Sequence, residues 1–93
     1  MNMELFDWDP SKNDWLKKER GICFEDIILR INTNHVLEVK RNPNQEKYPN
    51  QMIIIIDIDG YVYFVPFVQC EKGFFLKTII PSRKLTKKYL RGE

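Results

Sequence analysis

Residues 52–68, with the sequence MIIIIDIDGYVYFVPFV, determine the fold that we expect for this chain. Two apolar runs, 52–58 and 61–68, flank the dipeptide Asp59-Gly60. An Asp-Gly pair between two such runs is typical of a type I′ turn, so the stretch predicts an antiparallel hairpin. The first run is apolar on both of its faces. We therefore place it centrally in a sheet, covered by helices on at least one side.

Residues 74–89, with the sequence FFLKTIIPSRKLTKKY, predict a final strand that leads directly into a helix. Pro81 ends the strand, and Ser82 is a good N-cap for a helix that opens at Arg83. Cations in a first helical turn, such as Arg83 and Lys84, are disfavoured by about 0.3–1 kcal/mol each because the macrodipole there attracts anions. A bound phosphate would remove this conflict, since backbone N–H groups and cationic side chains would converge on it. The simpler alternative is a solvated basic C-terminus.

A short strand and a first helix are expected at the N-terminal end. Residues 5–8 form the strand, in which Phe6 and Trp8 share one face. Asp9-Pro10 is a strong helix start, because Asp is a good N-cap and Pro is favoured at the first helical position.

A second helix follows the first almost at once. The first helix has a narrow apolar stripe of Trp15 and Leu16 and is expected to stop at Gly21, with both tryptophans of the chain in the core. In the second helix, Cys23 occupies the cap position and residues 32–34 end the helix. Its apolar residues keep the i, i+3, i+4, i+7 spacing of a face buried against a sheet. They are Phe24, Ile27, Ile28 and Ile31.

After the second helix, the spacing of apolar residues changes from a period of 3.6 to a period of 2, which is typical of strands. Residues 35–40 predict a short strand, 41–50 a polar loop and 69–73 a turn. Pro66 lacks a backbone donor and predicts an edge or a bulge near the end of its strand. The expected fold is a single α+β domain over residues 1–93, in the order β-α-α-β-β-β-β-α. An antiparallel meander sheet of four to five strands would pack with two N-terminal helices and a C-terminal helix.

The distribution of charge is more informative than its sum. The formal net charge of +2 does not by itself indicate nucleic acid, but acids collect in the first third and cations at the end. Such a chain has either an internal electrostatic fit or a basic face with a partner. The acids are Glu4, Asp7, Asp9, Asp14, Glu19, Glu25 and Asp26; the later cations are Lys77, Arg83, Lys84, Lys87, Lys88 and Arg91, beside Glu93.

Several classes of protein are disfavoured by what the chain lacks. Cys23 and Cys70 make no disulfide framework, and no Cys/His cluster indicates zinc. A Gly-rich phosphate loop and the G-x-S-x-G and metal motifs are missing, so we expect neither cofactor nor metal. The longest apolar run, 52–56, is too short to span a membrane, and the N-terminus lacks the apolar region of a signal peptide. We therefore expect a cytoplasmic protein without a membrane partner.

The candidates that remain are basic and aromatic side chains. Such a set of side chains can cleave a phosphodiester without metal. A base must take the 2′-OH proton, cations must hold the developing charge on phosphorus, and an acid must protonate the leaving 5′-oxygen. Arg supplies charge and bidentate phosphate contacts, while Lys, Tyr, Glu or His can move protons. Lys77 and Arg83 are the strongest candidates, because a strand and the adjoining helix start would hold them rigidly. The full set is Lys77, Arg83, Lys84, Tyr48, Lys47, Glu46, Arg20 and His35.

Each candidate also has a structural alternative. His35 opens a strand and is more often a surface or turn residue, and Tyr48 could simply clamp its loop. Lys87 and its neighbours could be solvated cations with a non-specific phosphate role. Four aromatic residues are expected to pack in the core or on the sheet face rather than to stack bases. They are Tyr61, Tyr63, Phe64 and Phe67.

Both ends of the chain resemble the BrnT-type toxins of bacterial toxin–antitoxin pairs. The F-x-W-D-x-x-K opening of that family is similar to residues 6–12, and its G-V-x-F-E step is similar to residues 21–25. Its I-I-S-A-R-K strand-to-helix step is similar to residues 79–84, with Tyr89 beyond. The resemblance covers somewhat under half of the chain. It implies a RelE-like fold, ribonuclease activity that blocks translation, an antitoxin that covers the basic site, and binding of promoter DNA by the pair.

The chain departs from the pattern of that family at three places. Arg20 stands where the family has a His before the helix-ending Gly, and Pro81-Ser82 replaces Ser-Ala. Lys87 and Lys88 stand where the family often has acids. Without the His, the easiest general base or acid at neutral pH is missing. The protein would then be a divergent toxin, use a different base, or bind RNA without cutting it.

The leading hypothesis is a small toxin that cleaves RNA by metal-independent transesterification. Arg83 and Lys77 would hold the phosphate, Arg20 would assist, and Glu46 or Tyr48 would move protons. The alternative is a non-catalytic nucleic-acid-binding or protein-interaction module of the same fold. The further residues expected to bind RNA phosphates are Lys84, Lys47, Lys12 and Lys87.

Overall fold

The computed structural model of this protein describes residues 5–92, and in this range three helices pack on one six-stranded sheet. The fold class is therefore α+β, as expected. Glu4 and Glu93, which entered the charge distribution, lie outside the described residues. The elements are β1 (Phe6–Trp8), α1 (Pro10–Arg20), α2 (Phe24–Asn32), β2 (Val36–Arg41), β3 (Met52–Ile58), β4 (Tyr61–Cys70), β5 (Gly73–Leu76), β6 (Ile80–Pro81) and α3 (Arg83–Leu90).

The sheet is mixed, which corrects the expected antiparallel meander of four to five strands. The strand order is β1-β5-β4-β3-β2, and the short β6 pairs with β4. The pair of β1 with β5 is parallel, and the other pairs are antiparallel. The N-terminal strand reaches this far edge because β5 begins with a glycine. A Cβ on Gly73 would lie 2.1 Å from the carbonyl oxygen of Leu5, so the close approach requires the missing side chain.

The hairpin between β3 and β4 is confirmed. Ile58 pairs with Tyr61, and the two residues between them form the turn. Asp59 and Gly60 have φ angles of 53° and 86°, the double positive φ that defines type I′. The Gly60 N–H also donates to Asp57 Oδ1 at 2.9 Å.

The helix termini also follow the predictions. Asp9 Oδ1 accepts a hydrogen bond from the Ser11 N–H at 2.9 Å, which caps α1. Gly21 ends α1 in the left-handed region with φ 67°. At the start of α2, the Cys23 N–H donates to Asp26 Oδ2 at 3.1 Å, so an acid supplies the cap that Cys23 lacks. None of the helices within residues 5–92 is long and apolar enough to cross a membrane.

The sheet has a core on each face. The larger core lies under α1 and α2, and the smaller one lies under α3. Because alternate residues of β3 enter the two cores, this strand is buried on both faces, as its sequence predicts. Ile31 of α2 is half-buried, whereas the other three predicted face residues of that helix are fully buried. Central members are Leu16, Phe24, Ile27, Ile28, Ile54 and Ile56 in the larger core, and Ile53, Ile55 and Val62 in the smaller.

The two tryptophans differ in environment, which corrects one prediction. Trp8 is half-buried and stacks on Phe24 with ring centroids 5.5 Å apart. Trp15 is 43% exposed and does not belong to the core. The buried face of α1 consists of Asn13 and Leu16. Trp15 precedes Leu16 by one residue and therefore points about 100° away from the core.

The final strand is interrupted, and the interruption explains how the central strand β4 can contain Pro66. The sequence predicts one strand over 74–80, but residues 77–79 separate β5 from β6. Pro66 lies in the central strand β4 opposite Ile53, not at an edge. Its carbonyl accepts the Lys77 N–H at 2.8 Å. The N–H and C=O of a strand residue point to the same side, so the missing donor of Pro66 faces the interruption.

Asn13 joins α1 to the start of α2. The side chain is 4% exposed, and its Oδ1 accepts the Phe24 N–H at 2.8 Å. Its Nδ2 donates to Glu25 Oε1 at 2.7 Å, and this bond lowers the pKa of the Glu25 carboxyl below its ordinary value of 4.5. Because the folded pKa is the lower one, the resulting stabilisation is present above pH 4.5 and is lost as the pH falls through the folded value.

We expect Asn13→Ala to lower the free energy of unfolding by about 1–3 kcal/mol, because the buried N–H of Phe24 loses its acceptor. Asp14→Ala is the matched control, since Asp14 is exposed on the same helix and should change stability by no more than about 0.5 kcal/mol. Urea denaturation of both variants measures the difference. Equal stability of the two variants would contradict a structural role for the Asn13 amide.

Candidate functional site

The start of α3 is attached firmly to the first residues of β4. The Ser82 N–H donates to the Val62 carbonyl at 2.9 Å, and Ser82 Oγ accepts the Leu85 N–H at 3.1 Å. Thr86, which is 3% exposed, donates its hydroxyl to the Ser82 carbonyl at 2.7 Å and accepts the Val62 N–H at 2.9 Å. These bonds confirm Ser82 as the N-cap. They also hold the first helical residue, Arg83, beside the beginning of β4.

An open cavity of about 370 Å³ lies at this junction. Its chemistry is basic, with one phenol and three cationic side chains around the buried hydroxyl of Thr86. The lining residues are Tyr61, Arg83, Thr86, Lys87 and Arg91.

A second cavity of about 430 Å³ is also lined by Tyr61 and lies where α1 ends. Arg20, the last residue of α1, lines this cavity and donates from Nη1 to the carbonyl of Ile79. The guanidinium carbon of Arg20 also lies 5.1 Å from the centre of the Trp15 ring. Tyr61 lines both cavities, so Arg20 and Arg83 lie in two cavities that share one phenol. We call Tyr61, Arg20, Arg83, Lys87 and Arg91 the Tyr61 site.

The cations of the Tyr61 site have no carboxylate partner in the part of the chain that the structure describes. The one ion pair found there joins Arg30 Nη2 to Asp59 Oδ1 at 2.9 Å, at the rim of the second cavity. The described acids of the first third, residues 7–26, therefore form no ion pair with the C-terminal cations. Of the two interpretations of the charge distribution, the structure favours a basic face over an internal electrostatic fit.

Lys77 and Arg83 are not part of β4, and the chain near each of them is attached to a different residue of that strand. The Lys77 backbone bonds to Pro66, whereas α3 begins beside Val62. Four strand residues at roughly 3.3 Å each separate the two attachment points by about 13 Å. The ammonium of Lys77 lies 5.2 Å from the centre of the Phe75 ring. Lys77 also follows β5 rather than belonging to it, so the strand does not hold it as the sequence predicts.

The residues predicted to move protons lie far from the Tyr61 site. Glu46, Lys47 and Tyr48 belong to the exposed loop that leads into β3, whereas Tyr61 pairs with the last residue of β3. The seven residues of β3, at roughly 3.3 Å each, place the two groups about 20 Å apart. The Tyr48 N–H donates to the Asn44 carbonyl at 2.9 Å, and Lys47 lies 5.3 Å from the Tyr48 ring. The loop is therefore held by its own contacts.

The other predicted residues occupy three further places. Lys84 is exposed on α3, next to Arg83. Lys12 lies on α1 with its Nζ 4.4 Å from the centre of the Trp15 ring. His35 lies between the turn at residues 33–34 and β2, and its Nδ1 is 2.9 Å from the hydroxyl of Thr33. This position beside a turn agrees with the structural alternative for His35.

A hydrogen bond fixes the far end of α3. The Tyr89 hydroxyl donates to Glu38 Oε1 on β2, and this bond raises the pKa of Tyr89 above its ordinary value. Together with the bonds at Ser82 and Thr86, it attaches α3 at both ends. The orientation of Arg83 is therefore set by the packing of the whole helix.

The exposure of two residues in the site region was not predicted from the sequence. Tyr61 was expected in the packed sheet but is 39% exposed, and its position directly after the Asp-Gly turn is the signal that could have shown this. Trp15 was expected in the core, but its place beside Leu16 on a helix with one narrow apolar stripe argues against burial.

The groups that make up the site are of the kind that favours anions, since Arg and Lys side chains and the N-terminus of a helix all favour phosphate. No group of three or more His, Cys, Asp or Glu within residues 5–92 could hold a metal ion. Comparisons with models of protein families, with curated proteins and with solved structures give no match to this chain.

Proposed function

We propose that this protein is a small RNA-cleaving toxin of the BrnT-like kind, with a RelE-like fold, that inhibits translation by cutting RNA at the Tyr61 site. The observation that carries the proposal is that Tyr61 lines two cavities, one with Arg83 and the other with Arg20. Both arginines lack a carboxylate partner among the described residues, so they are available to a phosphodiester. An anionic ligand would also remove the unfavourable contact of Arg83 with the N-terminal dipole of α3.

The proposed reaction is a transesterification within the RNA backbone. The 2′-oxygen attacks phosphorus and gives up its proton, the bond from phosphorus to the 5′-oxygen breaks, and that oxygen takes up a proton. Arg83 and Arg20 stabilise the negative charge that develops on the phosphoryl oxygens. The phenol of Tyr61, which lines the cavities of both arginines, moves a proton, a role that a Tyr hydroxyl can fill. Tyr61 replaces Glu46 and Tyr48 in this role because they lie about 20 Å away.

The second candidate is a protein of the same fold that binds RNA without cleaving it. The observation that favours it concerns the two carboxylates that line the Arg20 cavity. Asp26 accepts the Cys23 N–H, and Asp59 is paired with Arg30. Both are therefore occupied in the fold and are poorly placed to act as the general base.

The proposal includes a protein partner. A cognate antitoxin with an acidic surface would cover the cations of the Tyr61 site and prevent RNA from binding. The toxin–antitoxin pair would bind its own promoter DNA. These expectations come from the resemblance to BrnT-type toxins.

The test of the proposed function is cleavage of a single-stranded RNA by the purified protein in the presence of EDTA. We expect fragments that end in a 2′,3′-cyclic phosphate, and no cleavage of the same strand made with 2′-deoxy sugars, since the deoxy strand lacks the attacking oxygen. Salt-dependent binding without cleavage would support the second candidate. Equal cleavage of the RNA and deoxy strands would contradict transesterification.

A further inference from the structure

Trp15 is a large apolar side chain on the outer surface of α1, and it is 43% exposed. The packing of α1 does not require this ring, because Leu16 and Asn13 supply the buried side of the helix. Its neighbours on the surface of α1, three and four residues away, are polar or charged: Ser11, Lys12, Lys18 and Glu19. An aromatic ring that is left in water beside cations is a feature of surfaces that bind unpaired bases.

Two cations lie over the Trp15 ring, and they differ in how firmly they are held. Arg20 is fixed, because its guanidinium also donates to the carbonyl of Ile79. Lys12 has its Nζ 4.4 Å from the ring centre and is otherwise carried by a flexible four-carbon stem. A flat ligand can therefore displace the Lys12 ammonium while Arg20 remains in place.

Arg20 connects Trp15 with the Tyr61 site. Its guanidinium lies over the ring and also lines the cavity that contains Tyr61. A nucleotide whose phosphate contacts Arg20 would thus bring a neighbouring base towards Trp15. The displaced ammonium of Lys12 would then be close to the backbone phosphates, which a Lys side chain binds as a point charge.

We infer that Trp15 is a base-stacking subsite and that the Tyr61 site takes single-stranded rather than duplex RNA. The inference rests on the proposed function, since it extends the phosphate site by one aromatic surface. In a duplex, both faces of each base are covered by its neighbours, so an unpaired base is needed to stack on a protein ring. A protein partner anchored on Trp15 is the other use of such a ring. The cations around the ring favour the nucleic acid.

The first test measures affinity for an oligonucleotide with 2′-O-methyl sugars, which cannot be cleaved because the attacking oxygen is blocked. We expect the parent protein to bind the single strand more tightly than the duplex or an abasic strand of equal charge. Trp15→Ala should weaken binding of the single strand roughly tenfold or more. The salt dependence of this affinity should be the same for Trp15→Ala as for the parent protein, because the lost side chain is uncharged.

Two further variants serve as controls for this measurement. Trp15→Phe keeps an aromatic face and should retain most of the affinity. Leu37→Ala removes another exposed apolar side chain, one that is 37% exposed on β2, and should leave the affinity unchanged. Arg83→Ala, in contrast, should weaken binding of the normal and abasic strands alike and reduce the slope of the salt dependence by about one unit.

The second test observes stacking directly. Trp8→Phe keeps an aromatic contact with Phe24 and leaves Trp15 as the single tryptophan of the chain. Addition of the single-stranded oligonucleotide should quench the fluorescence of Trp15, whereas the abasic strand should not. This readout depends on contact of a base with the ring.

The outcomes separate the two proposals. If Arg83→Ala weakens binding but Trp15→Ala does not, the stacking subsite is overturned, the phosphate site stands, and a protein partner becomes the use of the exposed ring. Equal binding of normal and abasic strands by the parent overturns the subsite in the same way. If the parent protein shows no salt-dependent binding of RNA, the proposed function and this inference both fail.

Discussion

Arg83→Ala is expected to lower the rate of RNA cleavage by about a hundredfold or more, because removal of one preorganised donor to a developing oxyanion typically costs on the order of 3 kcal/mol in the barrier. Arg83 is the first residue of α3, where the backbone N–H groups of a helix have no intrahelical partner, and it lines one cavity with Tyr61. A cation aimed at the reacting phosphate acts most strongly in the transition state. A surface cation acts through long-range attraction and changes affinity more than turnover.

The measurements are cleavage of RNA in vitro and arrest of growth in bacteria that express each variant. Arg83→Ala should abolish growth arrest and leave thermal stability nearly unchanged, because the side chain is exposed. Arg41→Ala is the matched control, since this exposed arginine at the end of β2 pairs with Met52, at the opposite end of β3 from Tyr61. Lys87→Ala should have an intermediate, milder effect, because Lys87 lines the same cavity.

Similar small losses in the Arg83, Lys87 and Arg41 variants would mean that the basic face attracts RNA without a focused site. That result would contradict the proposed role of Arg83 in RNA cleavage. A large loss of RNA cleavage in the Arg83 variant alone would show that cleavage depends on the cation at the start of α3. Circular dichroism of each variant excludes unfolding as the cause.

Ile28→Ala is expected to lower the free energy of unfolding by about 2–5 kcal/mol, since it removes buried methyl and methylene groups and leaves a cavity. Ile28 is 1% exposed and belongs to the larger core, where α2 packs against the sheet. For a chain of 93 residues, a loss of this size is a large part of the usual stability of a domain.

Leu29→Ala provides the control for stability, because Leu29 follows Ile28 on the same helix but is 59% exposed. Helix propensities of Ile, Leu and Ala differ by less than about 0.7 kcal/mol, so a difference of about 2–5 kcal/mol between the two variants reports burial. Urea denaturation should show a change of no more than about 0.5 kcal/mol for Leu29→Ala. A comparably small change for Ile28→Ala would place that face of α2 outside the core.

The elements that the sequence predicts well are those whose signals are local. The Asp59-Gly60 turn requires two positive φ angles, which this dipeptide adopts readily. The N-caps Asp9 and Ser82 act on N–H groups two or three residues away. The apolar spacing of α2 records which face is buried, because a helix has only one way to present residues at that interval.

Predictions failed where a residue depends on a partner far along the chain. The parallel pairing of β1 with β5 and the close approach at Gly73 have no signal in either segment alone. The same holds for residues 77–79, which leave the sheet opposite Pro66. Trp15 is apolar and so was expected in the core, but the orientation of α1 on the sheet leaves it exposed.

The composition of the candidate site was decided by the tertiary structure. The sequence by itself determined Arg83 at a capped helix start, and it identified Arg20 as a cation at the end of a helix. Packing brought Arg20 to the carbonyl of Ile79, 59 residues away, and so into a cavity that shares Tyr61 with the cavity of Arg83. It also placed Glu46 and Tyr48 at the other end of β3. A residue type states which chemistry is possible, but only the register of the strands sets which side chains reach the same ligand.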